Sequence, residues 1–504
     1  MALNRENLSQ VKNHNFSIPH FEIFEFPERI IQFGTGVLLR GLPDYFVHKA
    51  NQKGIFNGRI LVVKSTTSGD TDDFSKQNCL YTICVKGIEN GVVVEENTIN
   101  ASINRVLSAQ QDWAEILKAS HQLEMQIVIS NTTEVGIVDS DDRILDAPPK
   151  TYPGKLLAFL YERFKAFGGT ASSGMVILPT ELISNNADVL KNILIKLSNQ
   201  NNLNADFLNW LSNHNDFCNT LVDRIVPGKL SDADQIRLEN QLGYKDELAI
   251  MAEPFRLWAI ESSEARVSTI LSFSTADEGV FIVPSIEKFK ELKLRLLNGT
   301  HTMVCALAIL AGFDTVKKAM ANRKFNNHVL KLMETEILPA VESAEISREE
   351  AMAFAKSVAD RFGNPSLEHH WQAITLNYTS KIKMRNLPLI ERYYTKENKV
   401  PKRSALGLAA YIVLMNSKKD DQNYLAEVDG RKFKLQDESA EKLYKHWQNR
   451  QNFVKSILSD ESLWGTDLTH YPGFYEAVNQ RVNQLRNKGA KAILNELNTE
   501  ENGK

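Results

Sequence analysis

A lysine, an asparagine and a histidine stand at positions i, i+5 and i+8 in the stretch Lys293-Leu294-Arg295-Leu296-Leu297-Asn298-Gly299-Thr300-His301. Together they suit carbonyl chemistry. A buried lysine can pass a proton near neutral pH, an amide can donate to a developing oxyanion, and a neutral imidazole can orient a hydroxyl. At about 100° per residue on an α-helix, Asn298 lies about 140° and His301 about 80° around the axis from Lys293, so all three could line one wall. A plainer reading has Lys293 and Arg295 solvated, Asn298-Gly299 ending a helix and His301 a satisfied core group. The elements that must position such a set decide between the two.

A chain of 504 residues, 43% hydrophobic and 24% charged, exceeds one ordinary core and reads as a soluble globular protein of two large domains. Its net charge of −3 gives no footprint for nucleic acid or a membrane surface. The polar start, residues 1–26, lacks the apolar core of a signal peptide, and no window approaches a membrane span. Cys79, Cys84, Cys218 and Cys305 show no metal-ligand spacing, so reduced, mostly buried thiols of a cytoplasmic protein are expected, with no metal.

Ile30, Ile31, Gln32 and Phe33 read as a buried strand running into Gly34-Thr35-Gly36, and residues 37–51 carry apolar positions at helical spacing. Strand, glycine turn and helix form the context of a dinucleotide fingerprint: one glycine makes the turn, the next admits a pyrophosphate, and the helix start favours the anion. The match is partial, because Leu39 replaces the third glycine, with Arg40 and Gly41 following. A second strand over 59–64 completes a βαβ unit. After it, Asp70 is the only acid available for a ribose, while Lys64 and the hydroxyls beyond it could hold a 2′-phosphate, so the residues themselves leave NAD against NADP open.

Alternating runs at 80–86 and 92–96 around Asn90-Gly91 predict a hairpin inserted into the α/β pattern. A helix near 110–119 leads to a strand over 125–130 that ends in Asn131-Thr132-Thr133-Glu134, polar residues where open parallel sheets hold ligands. In the helix predicted over 153–166, Tyr161 and Lys165 have the spacing of the short-chain dehydrogenase pair, but Pro148 and Pro149 occupy the region of the required serine. An exposed helix face explains them. A strand over 174–179 exits through Thr180 to Asn186 into a helix reaching about 198. Asn186 is either an N-cap or a second oxyanion donor, and Asp223-Arg224 reads in isolation as an internal ion pair.

Past a strand at 280–283 helical periods dominate, over 329–338, 348–361, 367–382, 404–415 and 441–458, with only the last few residues frayed. This predicts an α/β domain over 1–285 and a mainly helical domain over 286–504. Within the second, Thr379-Ser380-Lys381-Ile382-Lys383-Met384-Arg385 concentrates positive charge. Facing a cleft it could hold a substrate carboxylate, as could Arg361; on a solvated face it holds nothing.

Together these segments resemble the polyol-specific long-chain dehydrogenase family typified by mannitol dehydrogenase, over nearly the whole chain. The carrying motifs are Ile30 to Gly36 continuing through Val37, Leu38, Leu39 and Arg40; Ser130-Asn131-Thr132-Thr133-Glu134; Pro179-Thr180-Glu181-Leu182-Ile183 with Asn186; Leu221-Val222-Asp223-Arg224-Ile225; Lys293, Asn298 and His301; and Arg361-Phe362 with Asn364-Pro365. The resemblance implies a Rossmann-type first domain holding NAD through Ile30 to Gly41, Asp70, Thr132 and Glu134, although Asp70 does not align cleanly with the family's ribose-binding acid. It implies Lys293 as general acid/base, Asn186 and Asn298 as the amides polarising the carbonyl, His301 positioning the substrate and Asp223 supporting it. Lys381 falls where the family has a substrate-contacting lysine, with Arg361 a further candidate. An arginine the family carries eight residues earlier is Ala373 here, which disfavours a plain polyol and fits the members that reduce tagaturonate to altronate. Close alternatives are a fructuronate or hexitol enzyme of the same family and, from another class, a non-catalytic dinucleotide sensor. The expected partner is a small molecule, and the chain a monomer or weak homo-oligomer.

Overall fold

Continuous apolar runs make the strands at the heart of the first half, as expected where a sheet is covered on both faces. They are β1 (Glu28–Phe33), β2 (Arg59–Lys64), β3 (Ile103–Ser108), β4 (Ile127–Ser130), β5 (Val176–Pro179) and β6 (Asp216–Phe217). In the computed structural model, which describes residues 2–11, 16–65, 71–132, 136–449 and 451–502, they form one parallel sheet ordered β3-β2-β1-β4-β5-β6. This order reverses direction beside β1, the topological switch point of the doubly wound dinucleotide fold. Ile30, Ile31 and Phe33 are fully buried, with β1 paired to β2 on one side and β4 on the other.

Two compact units divide the chain, one of residues 1–87 and 93–286, the other of 88–92 and 287–504. In the first, the inserted hairpin is present as Tyr81–Glu89 and Val92–Asn100. It turns through Asn90 (φ 53°) and Gly91 (φ 77°), the left-handed pair a tight hairpin demands. These strands lie in a five-stranded sheet with Ile250–Ala252, Gly228–Lys229 and Phe16–Ser17, and a three-stranded sheet joins Thr220–Asp223, Leu257–Glu261 and Val280–Val283.

The helix predicted over 37–51 is broken. Val37–Gly41 and Pro43–Gln52 are separate, meeting at Leu42 (φ −130°, ψ −77°), because a proline disfavours helical geometry in the residue before it. Tyr161 is half-buried against Phe207, and Lys165 pairs with Glu162 at 2.5 Å, so the short-chain pair is a helix face. The four cysteines are buried and free; burial pushes the Cys79 thiol up to about 11 and those of Cys84 and Cys218 up to about 12.

The second unit packs its helices around one continuous core, with Thr300–Leu310 and Lys402–Leu414 buried along most of their lengths. Several predicted helices are interrupted. The 367–382 period divides into Trp371–Ile374 and Tyr378–Arg385 at Asn377, whose φ is 49°; 441–458 divides into Ala440–Gln448 and Phe453–Leu458. The predicted terminal fray is a helix, Ala490–Asn502. Missed altogether is an antiparallel meander, Ser417–Asp420, Asn423–Val428 and Arg431–Lys434.

Candidate functional site

Gly34, at the carboxyl end of β1, has φ +129°, and a Cβ there would lie 3.0 Å from both the Asn131 carbonyl oxygen and Leu39 Cδ1. The turn admits nothing larger. Gly36 differs: its φ is −61°, and a Cβ would meet nothing within 4 Å. The fold does not require glycine at 36, so the bare backbone there leaves open space at a helix start, which is what a pyrophosphate needs. Close packing, the usual task of a third fingerprint glycine, falls to Gly41, where a Cβ would come within 2.8 Å of Val226, while Leu39 is fully buried. Ile30, Ile31, Phe33 and Leu39 therefore support the turn from the core. Thr35, Gly36, Val37 and Leu38 remain on the turn itself, only partly buried or exposed.

Arg40 does not reach toward that space. Its guanidinium donates to the Leu248 carbonyl at 2.6 Å and stacks over Tyr81, so its predicted cofactor role is corrected to a structural one. Gln32 is likewise buried, with its amide near Asp44. Thr132 donates through N and Oγ1 to Glu181 Oε1 at 2.9 and 3.0 Å, and Ser130 Oγ donates to Oε2 at 3.1 Å. Burial pushes the Glu181 carboxyl up. Glu181, two residues beyond the β5 strand, shapes this loop; its sequence signal was a carboxylate at a strand exit opposite Ser130. Asp70 and Glu134 lie outside the described residues.

Asn186 contradicts its expected chemistry. It is 1% exposed, its amide nitrogen donates to the carbonyls of Pro179, Glu181 and Thr220, and its oxygen accepts from the Thr220 and Ala187 nitrogens. Neither amide hydrogen is left for a ligand. The neighbouring Asn185 is exposed and left-handed, φ 53°, at the start of helix Asn186–Gln200. Asp223 is buried at the end of its strand, and the neighbouring Arg224 donates to the carbonyls of Glu253 and Gly41.

In the second unit Lys293–Gly299 is a π-helix, continuing without a break into Thr300–Leu310. The expected 140° offset therefore does not apply. An i→i+5 ladder makes residues five apart neighbours on successive turns, which brings Asn298 to the same side of the helix as Lys293. Both are half-buried. The expectation of a solvated Arg295 also fails: it is buried, bonded to Glu291 Oε1 at 3.0 Å and to the carbonyls of Met384 and Arg385 at 2.6 and 2.9 Å.

His301 is 9% exposed and its Nε2 has no hydrogen-bond partner. Its ring lies 4.7 to 5.1 Å from those of His369, Phe362 and Trp371. Burial, then His369, Arg385, Lys381 and Arg361, hold its pKa well below the ordinary value, so the imidazole is neutral. Lys381 donates to the Ile374 carbonyl at 3.0 Å, and Arg361 is buried. The predicted Lys381 and Arg361 thus gather around His301, with Arg385, unremarked as a single residue in the sequence, beside them. Among the described residues no group of three or more His, Cys, Asp or Glu side chains could hold a metal ion, and no helix is long and apolar enough to cross a membrane.

Residues 28–270 match the family model described as the mannitol dehydrogenase Rossmann domain, and 285–486 match the mannitol dehydrogenase C-terminal domain. The altronate oxidoreductase of Bacillus subtilis (strain 168) is 34% identical, over 93% of this chain and 95% of its own. The chain belongs to the mannitol dehydrogenase family. Altronate oxidoreductase of Klebsiella pneumoniae (strain 342) is 35% identical, over 94% of this chain and 97% of its own. Among solved structures, Pseudomonas fluorescens mannitol 2-dehydrogenase, in a ternary complex with NAD and D-mannitol, shares the fold at a TM-score of 0.67 and 22% identity, covering 99% of this chain and 100% of its own. A substrate-free D-sorbitol dehydrogenase does so at 0.76 and 19%, covering 98% and 100%. This mannitol dehydrogenase family member is accordingly an oxidoreductase with a Rossmann-type unit followed by a helical one.

Proposed function

We propose that this enzyme uses NADH to reduce a six-carbon keto-acid, tagaturonate, to altronate, and catalyses the reverse with NAD. The observation that carries the choice of an acid is the set of cations, Arg385, Lys381 and Arg361, whose charges bear on a buried, neutral His301. Relatives named altronate oxidoreductase along nearly the full length support it. The glycine turn fits a dinucleotide, since the position that would fill the pyrophosphate's space carries no side chain. Thr35, Gly36, Val37 and Leu38 would hold the phosphates there.

NADH, when bound, supplies the hydride to the ketone carbon. Lys293 delivers the proton to the ketone oxygen as it becomes the alcohol, and takes it back in the oxidative direction. Asn298, on the same side of the π segment as Lys293, donates to the same oxygen as charge builds on it, where a fixed donor is worth most. Asn186, whose amide hydrogens bond the carbonyls of Pro179, Glu181 and Thr220, holds the strand exit instead. His301 orients a hydroxyl through Nε2, and Asp223 supports the set.

Lys293→Ala is expected to cut turnover by two or more orders of magnitude, roughly the scale of acid/base contributions, while NADH binding persists. Turnover close to wild type at every pH would remove Lys293 from the chemistry. A panel of tagaturonate, fructuronate and fructose, each with NADH and NADPH and followed by loss of reduced-nicotinamide absorbance, tests the substrate. Preference for fructose would discard the acid, and no turnover of any ketone would favour a dinucleotide sensor.

A further inference from the structure

Arg385 ends the helix Tyr378–Arg385 and donates through Nη1 to Thr302 Oγ1 at 3.0 Å. Its Nε is buried without a hydrogen-bond partner. A guanidinium receives a carboxylate in parallel along the edge that carries Nε, and this is the edge left open once Nη1 is held by Thr302. The backbone beneath is fixed as well, because Arg295 binds the carbonyls of Met384 and Arg385. The fork is therefore placed by a buried threonine on one side and a buried arginine below.

Among the described residues neither Arg385 nor Lys381 makes an ion pair with a carboxylate. Lys381 lies one helical turn earlier, on the same face as Arg385, an arrangement of like charges that destabilises a helix. The carboxylate whose charge bears on Lys381 is Asp437, and its two oxygens already accept from Thr379 N and Oγ1 and from Ser439 N. His301, which faces the same charges, presents a second buried polar atom without a partner at Nε2. Two open polar atoms and an unneutralised cluster describe a receptor for an anion. A neutral polyol would leave the charge uncompensated.

We propose that Arg385 is the residue that reads the acid group of the substrate, taking the carboxylate on its Nε edge while Lys381 neutralises it from one turn away, with Thr302 as the positioning residue that aims the fork. This rests on the keto-acid reading of the site and names the contact that would make it selective.

The test uses the intact enzyme with NAD and compares the KM for oxidation of two chains that differ at one end, altronate and its reduced counterpart altritol. Arg385→Leu is expected to weaken altronate about tenfold to a hundredfold, the range for a hydrogen bond to a charged group, and to change altritol less than twofold. Arg385→Lys, which keeps the charge and loses the fork, should recover part of the loss, and Thr302→Val should move altronate in the same direction by less. An altronate-to-altritol ratio unchanged in Arg385→Leu overturns the assignment. Should that variant fail to fold, the ratio in Arg385→Lys decides, and wild-type selectivity there overturns it equally. Wild-type enzyme that binds the two alike would instead remove the keto-acid reading itself, an outcome visible before any variant is made.

Discussion

Two adjacent asparagines differ in burial through one backbone angle. Asn186 ties three carbonyls and two amides together inside the fold, whereas the left-handed turn at Asn185 faces that side chain outward. Asn186→Ala should destabilise the first unit by roughly 2 kcal/mol or more, because each buried polar group left unpaired costs about 1–3 kcal/mol. Asn185→Ala, at an exposed position, should cost less. Denaturation curves on both variants check this, and equal losses would show that the bonds of Asn186 do not hold the loop. Residue types were readable from sequence at every one of these positions. Which of two identical neighbours points inward was not, because the left-handed φ that decides it is tolerated by asparagine at either place.

At the scale of elements, the glycine turn makes a paired prediction. Gly34→Ala meets both a positive φ and the Asn131 carbonyl and should cost more than about 1 kcal/mol of stability. Gly36→Ala meets neither, and should leave stability near wild type while raising the NADH dissociation constant about tenfold or more, a loss of about 1.4 kcal/mol. Fluorescence titration of NADH beside a thermal melt separates the two; unchanged binding in Gly36→Ala would place the pyrophosphate elsewhere. The strands were legible because an interior parallel strand is a continuous apolar run, as in Ile30–Ile31 and 127–129. Two other elements were not. The π segment has no compositional signature, being defined by which carbonyl each amide reaches. The meander carried a turn signal in Asp429-Gly430, both left-handed, but its strands are short, charged and largely exposed, so no apolar alternation marked them.

Across the whole molecule each unit keeps a fully buried, neutral histidine. Burial holds His48 and His328 down to about 3; the Nδ1 of His48 accepts from the Ala101 nitrogen, and that of His328 lies 2.9 Å from the Arg403 guanidinium. An unfolded histidine takes a proton near 6.5, so below that pH the unfolded chain binds more protons than the folded one. The stabilising term is complete above about pH 6.5 and declines as pH falls toward 3, at up to about 1.4 kcal/mol per unit for each residue. Urea denaturation at pH 7.5, 6 and 5 should show this fall, and His48→Asn or His328→Asn should make it shallower. Equal slopes in wild type and variants would show that these rings do not set the acid response. That an α/β part precedes a helical one was legible in the shift from mixed α/β patterning to helical periods, since that shift is a property of long stretches and survives errors at any single boundary.

The i→i+5 turn at Lys293–Gly299 has one more implication. Such a turn is an ordinary helix that has accepted a surplus residue and closed around it, so the frame upstream is rotated against the frame downstream by a fixed increment. Lys293 stands in one frame and His301 in the other. Their mutual bearing is thus set by chain length, not by side-chain choice, and a lineage could alter the reacting geometry by gaining or losing a single codon while leaving every reacting residue in place.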